Sequence, residues 1–135
     1  MDRRMFLTTL TGAVALGPTG VLADPIEYMP GLVQKHLDAG DTVFIEFGTT
    51  WCSTCNAQRR VLAELKAETP AYEQKVVFIS VDWDQHSGSD LARRLKIPRR
   101  STLVVLSGEQ ELGRIVAQTS KKKIQALMDA ALSAV

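Results

Sequence analysis

The chain has little of the side chains that most often carry covalent, metal or stacking chemistry. Among 135 residues there are two cysteines, two histidines and only 6% aromatic residues. His36 and His86 stand at neither spacing familiar from zinc sites, alone or with the cysteines, so no metal centre is expected. Charge of one sign is also missing. Sixteen Lys and Arg against fifteen Asp and Glu leave a net +1, which argues against a general nucleic-acid binder, since that needs a basic footprint. No apolar run approaches the roughly 20 residues that cross a bilayer. There is no phosphate loop, serine triad, nucleotide fingerprint, internal repeat or low-complexity tract. What remains is a globular composition, 45% hydrophobic and 23% charged, of a length that suits one domain.

The first residues are set apart from that domain. Asp2-Arg3-Arg4-Met5-Phe6-Leu7 leads into a short apolar stretch, Leu10 to Leu16, interrupted at Gly12 and followed by Gly17, Pro18 and Gly20. A charged start, a short apolar middle and a small-residue exit at Val21-Leu22-Ala23 form the layout of a secretory signal over residues 1–23. Cleavage is expected after Ala23, and Arg3-Arg4 before Met5-Phe6-Leu7 resembles a twin-arginine export signal. The remaining domain, residues 24–135, would carry zero net charge. Its expected location is the periplasm.

Hydrophobic spacing then orders the domain. Pro30 to Ala39 reads as a helix ended by Gly40. Thr42 to Phe47 is a nearly continuous apolar, β-rich run, as in a central buried strand, with Glu46 its one charged residue. Val61, Leu62 and Leu65 recur at helical spacing from Ser53 to Glu68, and Pro70 ends that helix. Val76 to Val81 is a second strand, parallel to the first. Asp84 to Ser89 reads as a polar loop and Asp90 to Lys96 as a helix. Thr102 to Leu106 and Glu111 to Ala117 make an antiparallel hairpin, and Ser120 caps a last helix that buries Ile124, Leu127, Met128 and Leu132. The expected fold is α/β, a mixed four-stranded sheet with helices on both faces.

Both cysteines lie in this domain, three positions apart. A disulfide stabilises mainly by closing a long loop, and Cys52–Cys55 closes almost none, so the spacing points to chemistry. Cys52 stands where a strand ends and a helix begins. Free N–H groups and the positive helix end stabilise a thiolate there, and the thiolate is the nucleophile. Cys55, one turn further on, can attack a mixed disulfide on Cys52 and release the partner.

Trp51-Cys52-Ser53-Thr54-Cys55, after a buried strand and opening a helix, resembles the active site of the thioredoxin family. The later elements follow the family's order through most of residues 24–135. The resemblance implies a thioredoxin-like fold and a thiol–disulfide oxidoreductase that needs no cofactor beyond a redox-active Cys52–Cys55 disulfide. Glu46, five residues before Trp51, matches the buried acid that relays a proton to the second cysteine, where burial would raise its pKa. The lysine that usually neighbours this acid is matched by Ser80, so no cation is expected beside Glu46. The family's cis-proline is matched by Ser101, with Pro98 the alternative if the register shifts. Trp51, Ser101 and Thr102 are then the expected substrate-binding residues.

Arg93, Arg94, Lys96, Arg99 and Arg100 flank that corner. They read either as a positive rim that steers acidic partners and lowers the Cys52 pKa, or as a solvated helix face. The expected activity is a monomeric reductase of the bacterial envelope. It would act on protein thiols or disulfides, drawing electrons from a membrane donor, and would not bind nucleic acid. The alternative is Cu(I) binding or metal transfer by the same two sulfurs.

Overall fold

A computed structural model describes residues 23–135. The expected leader therefore lies, apart from Ala23, outside the described residues. Strand β1 (Ile26–Glu27) comes first, then helix α1 (Leu32–Asp38) and strand β2 (Thr42–Gly48). Helices α2 (Ser53–Glu68) and α3 (Ala71–Lys75) lead to strand β3 (Val77–Asp82). Short helices α4 (Trp83–His86) and α5 (Asp90–Arg94) precede the hairpin of β4 (Thr102–Ser107) and β5 (Gln110–Val116), and helix α6 (Lys121–Ser133) ends the chain.

The sheet has five strands in the order β1-β3-β2-β4-β5, not the four expected. β1 is the addition. Two residues are too few to show an alternation in sequence, and Ile26 remains 46% exposed. Its order comes from parallel pairing with β3, Ile26 opposite Ile79. β2 pairs parallel with β3 and antiparallel with β4, so it is central, and every residue of it is buried. The segments on either side of Pro70 and Asp82 also differ from expectation. Pro70 ends α2 but, with φ of −58°, also starts α3, which buries Tyr72. Asp82 accepts from the Asp84 N–H at 2.9 Å and caps one helical turn where a loop was expected.

Strand alternation sorts β2 between two cores. Phe44 packs with Leu62 and Leu65 of α2, Tyr72 of α3, and Ile124, Leu127 and Met128 of α6. Val43, Ile45 and Phe47 face the other way, against Val33 of α1 and Leu91 of α5. Glu46 and Gly48 share the Phe44 side, beneath α2. The helix carrying the cysteines thus lies over the strand carrying the acid. The start of β4 closes the same end of the sheet, with Thr102 opposite Phe47 and the Ser101 N–H donating to the Phe47 carbonyl at 2.7 Å.

Candidate active site

Cys52 is itself the N-cap of α2. Its backbone is extended (φ −82°, ψ 116°), and its sulfur accepts the Cys55 N–H at 3.2 Å. An N-cap side chain satisfies a backbone donor that the helix leaves unpaired. A sulfur in that role gains most when it is an anion, because the helix dipole adds to the hydrogen bond. Burial pushes the Cys52 thiol up, but hydrogen bonds from the side chains of Cys55, Ser101 and Arg100 and from the Cys55 N–H outweigh it. The pKa falls to about 6. Cys55 is also buried, and the pair is present as two free thiols.

Ser101 lies across both sulfurs. Its Oγ is 3.2 Å from Cys52 Sγ and 3.1 Å from Cys55 Sγ, and the residue is fully buried. No peptide bond among the described residues is cis, and Ser101 has φ of +64°, a conformation uncommon outside glycine. The corner is held from several directions. Besides the bond to Phe47, the Ser101 carbonyl accepts from the Ala117 N–H at 2.9 Å and from Gln58 Nε2 at 3.0 Å, and Gln58 also reaches the Gln118 carbonyl. Thr102 is fully buried as well, its hydroxyl donating to the Arg99 carbonyl at 2.7 Å. Both residues expected at the substrate surface therefore turn their side chains inward. Trp51 does not. It is 60% exposed, donates from Nε1 to Asp84 at 2.8 Å and carries the Arg100 guanidinium over its ring at 4.5 Å.

Glu46 is 6% exposed, and its Oε2 has no hydrogen-bond partner among the described residues. Burial pushes its carboxyl up, opposed by the charges of Lys66 and Arg59. This corrects the expectation, drawn from Ser80, that no cation lies near. Ser80 does sit beside Glu46 on β3, but the cations come from above, on α2. Lys66 is buried, with Nζ 4.0 Å from the Phe78 ring centroid and 3.8 Å from Glu73. Arg59 bonds the Thr49 carbonyl at 3.0 Å and Asn56 at 2.6 Å. With Glu46, Glu73 and Asp24, these two cations line a cavity of about 270 Å³ whose walls also include Leu62 and Ala63.

Gly48 lies directly under the cysteine helix. A Cβ there would meet the tip of the Arg59 side chain at 2.9 Å and crowd Cys55 Sγ and Cβ at 3.2 and 3.3 Å, so the arginine would have to swing aside and Cys55 shift slightly. Sequence reasoning missed Gly48, Gln58 and Lys66. The last two fall at helical intervals from Cys55, and that spacing was the available signal. No group of three His, Cys, Asp or Glu side chains that could hold a metal ion occurs among the described residues.

The thioredoxin family profile matches residues 31–130. A thioredoxin H-type from Fagopyrum esculentum is 32% identical over 62% of this chain and 66% of its own length. Thioredoxin H2-1 from Oryza sativa subsp. japonica is 30% identical over 63% of the chain and 57% of its own length. The chain thus matches about two thirds or less of these relatives. Among solved structures, a thioredoxin from Malassezia sympodialis superposes with a TM-score of 0.62 at 26% identity, covering 83% of this chain and 97% of its own. Trxlp from Edwardsiella tarda gives 0.65 at 24% identity over 76% and 97%, a likeness of fold. Family members are thiol–disulfide oxidoreductases that need no cofactor beyond the redox-active cysteine pair. With a Cys-x-x-Cys pair whose first cysteine caps a helix over a buried acid, and a profile match across most of the described residues, this chain belongs to the thioredoxin family.

Proposed function

We propose that this protein is an exported thiol–disulfide oxidoreductase that reduces protein disulfides in the bacterial envelope. The observation that carries the reading is the Cys52 sulfur at the N-cap of α2, with Cys55 one turn behind it and equally buried. Cys52 attacks the partner's disulfide, Cys55 resolves the mixed disulfide, and Glu46 takes the Cys55 proton. Exposed Trp51, with the half-buried Arg100 over its ring, forms the outer side of the reaction centre. The leader features of residues 1–23 support periplasmic delivery, and a reductase there needs electrons from a membrane donor.

The reading is tested on residues 24–135, reduced and mixed with a protein disulfide. Wild type turns over, Cys52→Ser is inactive, and Cys55→Ser accumulates a mixed disulfide through Cys52. A trapped adduct on Cys55 instead would reverse the roles. The location is tested separately by a reporter fusion. Cleavage after Ala23 and loss of export on Arg3-Arg4→Lys-Lys are expected, and a full-length cytoplasmic product would refute the envelope assignment.

A further inference from the structure

Ser101 has one hydroxyl proton and two sulfurs at nearly the same distance, 3.2 and 3.1 Å. No other hydrogen-bond partner of the hydroxyl is found among the described residues. The residue is fully buried, so water does not compete for that proton. A serine hydroxyl can rotate to serve whichever acceptor is stronger. The backbone cannot follow it, because the Ser101 N–H and carbonyl are tied to Phe47, Ala117 and Gln58. Holding a non-glycine residue at φ +64° costs energy, and such strain gathers where a site needs a fixed group.

We propose that the Ser101 hydroxyl is a catalytic donor that follows the negative charge from Cys52 to Cys55 during disulfide exchange. The inference rests on the exchange chemistry proposed above and adds a residue to it. In the reduced protein the hydroxyl donates to the Cys52 thiolate. Cys52 attacks the substrate disulfide; that S–S bond breaks, and one substrate sulfur leaves as a thiolate and takes a proton from water. Cys52, now in a mixed disulfide, is a poor acceptor, so the O–H turns to Cys55. The Cys55 proton passes to Glu46, and the Cys55 thiolate attacks Cys52 Sγ. The Cys52–Cys55 bond forms, and the second substrate sulfur leaves as a thiolate and is protonated. Two electrons pass from the cysteine pair to the substrate, and Ser101 keeps its own proton throughout.

The test pairs Ser101→Gly with Ser101→Ala. Both lose the hydroxyl, but glycine adopts a positive φ freely and alanine does not. Thiolate absorbance of the reduced proteins against pH reads Cys52, and equilibrium with glutathione reads the pair. Both variants should titrate Cys52 about one pH unit higher, as expected for losing a hydrogen bond to a charged group. Their glutathione equilibrium should move roughly tenfold toward the disulfide, about 30 mV more reducing. Resolution of a preformed Cys52 mixed disulfide should slow by a similar factor. A folded Gly variant that titrates and equilibrates as wild type does would overturn the proposal. So would a shift in Ala alone, which would place the effect in the backbone. If wild type itself fails to exchange with glutathione, the exchange reading falls, while the thiolate titration still reports on Ser101.

Discussion

Reduced protein mixed with a chromogenic aromatic disulfide between about pH 5 and pH 9 reads the state of Cys52 directly. The structure puts its pKa at about 6. A free cysteine at about 8.5 is roughly 3% thiolate at pH 7, against about 90% for a group at 6, a gain of about 30-fold in reactive species. The lower pKa also makes a weaker nucleophile. With a Brønsted coefficient of about 0.4–0.5, a drop of about 2.5 units slows each thiolate roughly 10- to 18-fold. At pH 7 the two effects nearly cancel, and Cys52 should react only about twofold to threefold faster than free cysteine. At pH 5.5 the thiolate fractions differ about 240-fold, so the net advantage grows to about 15-fold. The diagnostic quantity is therefore the pH profile, not the neutral rate. The expected profile rises to a plateau with its midpoint near 6, and peptide mapping finds the adduct on Cys52. A rate still climbing through pH 8–9, or parallel to free cysteine at every pH, would refute the claim that the N-cap and its hydrogen bonds hold a thiolate.

Three further outcomes follow from the same geometry. Glu46 has a folded-state pKa raised above its unfolded value, so its contribution to stability is most favourable below the unfolded value. That contribution declines as pH rises through the folded one; Glu46→Gln should remove this decline and slow resolution of the mixed disulfide, and identical pH–stability curves would place the carboxyl in water. Lys66→Met keeps the apolar stem against Phe78 but removes the charge opposing burial of Glu46, so carboxyl-resolved NMR should show Glu46 titrating higher; an unmoved Glu46 would mean the two do not sense each other. Ser101→Pro cannot adopt φ +64° and loses the N–H that bonds Phe47, so denaturant unfolding should show a loss of at least about 2 kcal/mol. Equal or greater stability would contradict the backbone at that corner.

What the sequence determined by itself is local. Pro70, Gly40 and Ser120 punctuate helices whose apolar spacing shows which side is buried, and the apolar run from Val43 to Phe47 marks a central strand. Burial of Glu46 follows from that run, and the placing of Cys52 at a strand–helix junction follows from its neighbours. Each of these rests on residues within a turn or two, where period and capping leave a pattern. β1 has no such pattern, since two residues are shorter than any period, and its strand exists only because β3 offers an open edge.

Tertiary structure decided the rest of the site, because its parts are distant in sequence and their meeting depends on how helices lie over the sheet. Ser101 was recognised as a departure from the family, but only packing puts its hydroxyl between sulfurs 46 and 49 residues away. Ser80 led to the inference that Glu46 lacked a cation. That reasoning followed one strand neighbour, whereas the charges of Lys66 and Arg59 act on the carboxyl from the helix above. Side-chain type and spacing fix which face of an element is buried; which charged or polar group meets it there is fixed by the approach of elements that share no sequence pattern.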